Sequence, residues 1–233
     1  MPSAPLALLL ASASPARRST LLAAGVEPLV RVSSVDENAV VAAAEATAGE
    51  PLEAADVALL LARAKAEDVV AALEVDDAFD EVDADLALSI LVLGCDSVLE
   101  IDGQVHGKPA DAGEAGARWR RMRGRSGVLH TGHWLVDLRE PDDGGTGGMV
   151  GGTASTVVHF ADLDDDEVDS YVATGEPLRV AGAFTLDGLG GPYVSGIEGD
   201  PSNVIGVSLP LLRELVREVG VAWHDLRRPI TGT

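Results

Sequence analysis

Residues 86–109, LALSILVLGCDSVLEIDGQVHGKP, hold a nearly continuous apolar run. A strand with water on one face alternates apolar and polar side chains, and this run does not, so it reads as a strand buried on both faces. The reading ends the strand at Gly94 and turns the chain near Asp102 and Gly103. Near the N-terminus, the apolar run from Leu6 to Ala11, a capped helix from Pro15 to Ala24 and the stretch PLVRVSS give strand, helix, strand. This order is the start of an α/β sheet.

Further along, a loop is expected from Asp36 to Asn38. From about Glu53 the spacing of Val57, Leu60, Leu61 and Ala64 is helical and places Lys65 on a helix. VDDAFDEVDADLA reads as an acidic loop, and DAGEAGARWRRMRG as a helix stopped by Gly124. GVLHTGHWLVDL and ASTVVHFADL read as strands. The connector between them has glycine at 144, 145, 147, 148, 151 and 152, the composition of a flexible hairpin tip, and residues 142–152 receive no chemistry. DLDDDEVDSYVATG has Asp164 and Glu167 in capping-box spacing, so its six acids read as dipole-complementing surface charge and not as a metal cluster. SLPLLRELVREVG is an amphipathic helix that closes the core. The expectation is one domain over residues 1–233, with two lobes divided near residue 126 and a ligand cleft between them.

The charge narrows the partners. With 17 basic and 38 acidic residues the formal charge is −21, which repels nucleic acid backbones and anionic membranes. A single cysteine, Cys95, excludes an intramolecular disulfide framework and fits a reducing cytoplasm. PLALLLASAS has no basic flank and is shorter than a signal or a membrane span normally needs, so it reads as a buried strand, with an export segment as the alternative.

Against an acidic background, basic residues in unusual places stand out. Ser14 and Pro15 suit the cap and first turn of a helix, yet Arg17 and Arg18 follow immediately. A cation there is disfavoured by roughly 0.3–1 kcal/mol unless an anion is present. Ser12, Ser14 and the free N–H groups of the turn offer donors to such an anion. The competing reading has either arginine projecting into solvent or meeting a surface acid. Asp96 follows an apolar strand at the sheet edge where α/β folds place functional groups, and it suits a metal ligand or a general base. Its alternative is a turn cap. Lys108, between Gly107 and Pro109, is a rigidly presented ammonium, although the glycine spacing of a Walker A loop is missing. His130 and His133 are three apart on a strand and face opposite sides, which disfavours one shared ion. Cys95 reads as a small core residue.

Taken in order, LASASPARRSTLLAAG, VSSVDE, LARAKA, LGCDSVLEIDGQVHGKP, TGEPLRVAGAFTLDGLGG and IEGDPSNVIGVSLPLLREL resemble the successive motifs of the Maf family of nucleotide pyrophosphatases. The resemblance runs from about Leu6 to Val219. It implies a two-lobed α/β fold, an elongated mixed β-sheet with flanking helices and a central cleft, similar to the inosine triphosphate pyrophosphatases. It also implies a cytoplasmic enzyme that cuts nucleoside triphosphates between the α and β phosphates with a divalent metal, Mg2+ or Mn2+, and removes non-canonical nucleotides. An association with septum formation and cell-division arrest belongs to the same family, and so does a homodimer.

Carried over by motif, Ser12 and Arg17 hold phosphates, Lys65 and Lys108 neutralise them, and Glu37 binds metal or substrate. Asp96 matches the proton acceptor and, with Glu37, a carboxylate pair for the metal. The chain departs from the family at positions tied to base choice. Many members have Arg where Ala16 stands, and the branch acting on thymidine and uridine triphosphates has Thr and Gln at the places of Ser97 and Asp187. The branch acting on methylated guanosine triphosphate has Trp at the Ala16 position. These three positions are therefore the specificity candidates, with no base assigned. Two rival functions carry distinct expectations: a non-catalytic nucleotide-sensing regulator of division would bind without pyrophosphate release, and a phosphomonoesterase with Asp96 as nucleophile would release orthophosphate.

Overall fold

The computed structural model of the chain describes residues 6–75 and 89–227. Strand β1 (Ala7–Leu10) is fully buried, and α1 (Pro15–Ala23) follows it with Ser14 as N-cap and Pro15 in the first turn. From PLVRVSS only a two-residue strand forms, β2 (Leu29–Val30), because its partner β1 ends at Leu10. Helix α2 (Glu37–Ala48) begins where a loop was expected at Asp36 to Asn38. The Asp36 carboxylate accepts from the Ala39 N–H at 3.0 Å, and Gly49 closes the helix with φ 79°. None of its residues is fully buried, so its sequence lacks the apolar stripe that announces a helix. Helix α3 (Ala54–Val75) is the expected long helix bearing Lys65. The acidic loop read after it lies outside the described residues, apart from Val75.

Strand β3 (Ile90–Ile101) does not stop at Gly94 but runs on for seven more residues. Gly94 serves a different purpose: a Cβ there would sit 2.0 Å from the Ala62 carbonyl oxygen of α3. The glycine therefore marks a close helix–sheet approach, and Asp96 lies inside the strand, not at its end. The edge that matters is the end of β1, whose register with β3 finishes at Leu10 and Leu93. Beyond Leu93 one side of β3 has no parallel partner, while the other stays paired with β5 (Ser126–Asp137), Asp96 opposite Gly132. Strand β4 (Gln104–His106) folds back on β3 through the expected turn, where Asp102 and Gly103 both have positive φ. Strands β6 (Met149–Phe160) and β7 (Val194–Glu198) complete a mixed seven-stranded sheet of order β2-β1-β3-β5-β6-β7, with β4 on β3.

The glycine-rich connector is shorter and better anchored than its composition suggests. Met149 to Thr153 already belong to β6, paired with residues 132–136 of β5. The buried Asp137 carboxylate accepts from Arg139 Nε at 2.8 Å and Nη2 at 2.9 Å, and from the Thr146 N–H and hydroxyl, both at 2.8 Å. Burial alone would raise its pKa, but these donors hold it down at about 2. Gly151 is needed for contact and not for flexibility, since a Cβ there would lie 2.3 Å from the Trp134 ring.

Helices α4 (Ala112–Met122) and α5 (Asp165–Ala173) flank one end of the sheet, and α5 carries the full Asp164–Glu167 capping box. After the short α6 (Pro201–Ile205), α7 (Leu209–Glu218) buries Leu212, Leu215 and Val216 against Leu8, Leu10, Leu91 and Leu93. Each such burial is worth roughly 1.5–3 kcal/mol, whereas an exposed pair such as Arg63–Glu67 contributes at most ~1 kcal/mol. Packing therefore docks α7. The opposite face of β3 packs on α3 through Val92, Ala66 and Val69. A third cluster under α4 and α5 is built around Trp119, with Phe160 and Tyr171 edge-on to its ring. Among the described residues no helix is long and apolar enough to cross a membrane.

Candidate active site

A cleft of ≈ 870 Å³ opens where β1 ends. Successive residues of a strand point to opposite faces, and between the end of β1 at Leu93 and the start of β4 pairing at Leu99 one edge of β3 is unpaired, so both of its faces reach this cleft. Asp96 meets Lys65 of α3 on one face, and Ser97 meets Arg17 of α1 on the other.

Arg17 is buried at the N-terminus of α1, and its guanidinium is held by neutral oxygens. Nε donates to the Gly206 carbonyl at 3.0 Å, Nη1 to Ser12 Oγ at 2.9 Å and Nη2 to Ser97 Oγ at 3.1 Å. Among the described residues it forms no ion pair. Gly206 is required beside it: its φ is +119°, and a Cβ would lie 3.2 Å from Arg17 Cγ. Ser97 Oγ in turn shares a hydrogen bond with Thr131 Oγ1 at 2.9 Å, and that hydroxyl donates to the Asn203 carbonyl of α6. A positive charge fixed in this way, at a dipole end that already disfavours cations, is prepared for an anion. Arg18 differs: it is exposed and does not line the cleft.

Lys65 reaches across from α3 to two carboxylates, Asp96 Oδ1 at 2.5 Å and Glu37 Oε1 at 2.6 Å. The close α3 approach at Gly94 and Gly132, where a Cβ would fall 2.2 Å from the Ala58 carbonyl oxygen, brings the lysine this near. Burial pushes the Asp96 carboxyl above its ordinary range, with Lys65 and Arg17 opposing only in part. Glu37, more exposed at the start of α2, is also pushed up by burial, but Lys65, Lys108 and Arg17 bring it net below the ordinary value. One carboxylate is thus made more basic than its neighbour, as a proton acceptor requires.

The remaining wall is built from turns. Lys108 is exposed on the turn after β4, and the Gly107 carbonyl before it accepts from the buried Arg118 at 2.5 Å and from the Gly182 N–H at 3.1 Å. Asp187 is exposed on the same cleft, as is Arg179 at the end of a short turn, residues 176–179. Arg179 was missed by sequence reasoning, although it stands in TGEPLRVAGAFTLDGLGG; its only signal was a basic residue in an acidic chain. Ala16 lies half-buried in the first turn of α1. The residues assigned from the motifs and their departures, namely Ser12, Ala16, Arg17, Glu37, Lys65, Asp96, Ser97, Lys108 and Asp187, all line this one cleft.

The other candidates fall away. His133 is buried, donates from Nδ1 to the Thr131 carbonyl at 3.0 Å and accepts the Ser208 N–H on Nε2 at 2.9 Å. His130, on the other face, bridges Ser155 and Glu100. Cys95 is buried, and burial pushes its thiol up to about 12. Among the described residues no three His, Cys, Asp or Glu side chains gather so as to hold a metal ion. Glu37 and Asp96 nevertheless converge on one point, now taken by the Lys65 ammonium. Two carboxylates suit a hard divalent cation that completes its oxygen shell with phosphates and waters.

The family model described as Maf-like protein matches residues 7–219, spanning every element that lines the cleft. The chain belongs to the Maf family. Maf relatives named nucleoside triphosphate pyrophosphatase include one from Salinispora tropica, 54% identical over 99% of this chain and 88% of its own length. Another, from Leifsonia xyli subsp. xyli, is 52% identical over 94% and 95%. A third, from Streptomyces coelicolor, is 52% identical over 95% of both. Its Maf membership and the α/β sheet agree with the resemblance read from the motifs.

Proposed function

We propose that this Maf protein is a nucleoside triphosphate pyrophosphatase that hydrolyses its substrate between the α and β phosphates. The observation that carries this reading is the pairing, in one cleft, of a buried guanidinium held only by neutral oxygens with a buried carboxylate made basic by its surroundings. Arg17 and Ser12 receive phosphate oxygens at the α1 N-terminus, and Lys108 neutralises them from the facing turn. Asp96 takes a proton from water as the water oxygen attacks the α phosphorus. The bond from the α phosphorus to the bridging oxygen breaks, and pyrophosphate leaves with that oxygen onto the basic groups. Before a cation is held there, Lys65 keeps Asp96 oriented and offsets the charge between Glu37 and Asp96.

A divalent cation, Mg2+ or Mn2+, would be held by Glu37 and Asp96; when bound it supplies phosphate charge screening and a more acidic water. Lys65 would then turn from the carboxylates toward phosphate. We read residues 1–233 as one domain of two lobes divided near residue 126, similar to the inosine triphosphate pyrophosphatases, acting in the cytoplasm as a homodimer on non-canonical nucleotides. Ala16, Ser97 and Asp187 are the positions where base choice is set.

The test is product analysis with Mg2+ or Mn2+ and a panel of standard and modified triphosphates, measuring pyrophosphate and orthophosphate separately. Monophosphate and pyrophosphate in equal amounts are expected. Saturable binding without pyrophosphate would support the sensor of cell division instead, and orthophosphate release the phosphomonoesterase.

A further inference from the structure

Thr185, Leu186 and Asp187 reach the cleft from a loop that forms no strand or helix, residues 184–190. Behind the loop, outside the cleft lining, Glu176 gathers its donors. Glu176 Oε1 accepts from Tyr171 Oη at 2.9 Å, Thr185 Oγ1 at 2.5 Å and the Gly190 N–H at 3.0 Å. Oε2 accepts from the Leu189 N–H at 3.0 Å. The chain wraps the carboxylate with no room to spare: a Cβ on Gly188 would sit 2.6 Å from Glu176 Oε2, and one on Gly190 2.4 Å from Tyr171 Oη. Tyr171 is itself packed edge-on to Trp119, with ring centroids 5.4 Å apart, so the anchor belongs to the rigid core.

Phe184 anchors the start of the loop in the core, edge-on to Phe160, and the Gly190 N–H also donates to Thr185 Oγ1. The stretch between is exposed, Leu189 by 59%, and Glu176 is the side chain that ties it to the core. Arg17, Lys65 and Asp96 are braced from α1, α3, β3 and α6 and share no hydrogen bond with it. We infer that Glu176 is a positioning residue for nucleotide selection: by fixing residues 185–190 it sets where Asp187 and its neighbours meet the nucleotide, without touching it. The inference rests on the triphosphate reading of the cleft.

Glu176→Gln tests it with minimal change in shape. Hydroxyls can reverse their bonds to an amide, but backbone N–H groups cannot, so whichever way the amide turns it opposes Leu189 or Gly190 with a second donor. The kinetics are measured on purine and pyrimidine triphosphates for the wild type, E176Q and Tyr171→Phe. For E176Q we expect KM of the preferred nucleotide to rise about tenfold, kcat to stay within twofold and the spread of kcat/KM across bases to shrink. Y171F removes one donor and should shift KM and selectivity less, in the same direction; if E176Q does not fold, this variant decides. Unchanged KM and base ranking, a fall in kcat alone, or a wild type indifferent to base would overturn the inference. If the wild type releases no pyrophosphate, the hydrolytic reading fails by itself. Binding of α,β-methylene triphosphates then decides the role of Glu176: base-dependent affinity lost in E176Q upholds it, and affinity unaltered in E176Q overturns it.

Discussion

The two sides of the cleft are built on different terms. Where α1 meets β3, the reactive charges are buried and braced directly: Arg17 has three neutral acceptors, and Lys65 sits between two carboxylates. Around Lys108, Arg179 and Asp187 the side chains are exposed, and the bracing acts one layer back, Arg118 on the Gly107 carbonyl and Glu176 on the 184–190 loop. Preorganised charge costs nothing to reorient during reaction, which suits the chemical step. Exposed side chains on clamped turns keep their rotamer freedom, which suits recognition of a ligand that brings its own contacts. On the proposed reading the chemistry belongs to the braced side, and the exposed side adds Asp187 to Ala16 and Ser97 in choosing the base.

Substitution across the contrast should give graded effects. Asp96→Asn removes the proton acceptor and should lower kcat by roughly 10²–10⁴-fold while triphosphate binding, measured calorimetrically, persists; turnover near wild type would deny Asp96 its role. Acid should strike the braced side first. Burial lowers the pKa of His133 to about 4 from 6.5, so the unfolded chain takes up this proton before the folded one. Its contribution is therefore complete above pH 6.5 and is lost as pH falls through that window, about 3 kcal/mol by pH 4. Because His133 accepts the Ser208 N–H two residues beyond Gly206, denaturant melts between pH 7 and 4 should show a steep loss that His133→Gln flattens.

Arg17→Lys keeps the charge but cannot reach Ser12, Ser97 and Gly206 together. We expect kcat/KM to fall about 100-fold, a loss of the size seen when one fixed oxyanion donor is removed. Lys108→Ala, on the exposed side, should raise KM about tenfold with kcat nearly held, and the gap from wild type should narrow in salt as the screening length shortens. Equal penalties for R17K and K108A would erase the distinction between the two sides.

Local chemistry was readable without the fold. Ser14 and Pro15 start α1, Asp164 and Glu167 box α5, and the stripe of Leu212, Leu215 and Val216 defines α7, because caps and amphipathic faces depend on neighbours within a turn or two. Ordered motifs likewise named the charged and polar residues at the heart of the cleft, though not Arg179. Helix α2 escaped because alanines on a half-exposed helix leave no stripe, although Asp36 and Gly49 marked its ends.

Tertiary structure alone decided what depends on distant backbone. The sequence marks Gly94 as a strand end and Gly151 as part of a flexible hairpin tip; only the packed helix and the Trp134 ring show that each glycine makes room for a neighbour. The sequence likewise marks Arg17 as an odd cation at a helix start. That it is buried, held by a carbonyl 189 residues away and left without a carboxylate among the described residues follows from where α6 returns to α1. Helix caps and hydrophobic periods are short-range and written locally, whereas burial, close approach and charge pairing are set by segments that meet only after the chain has folded.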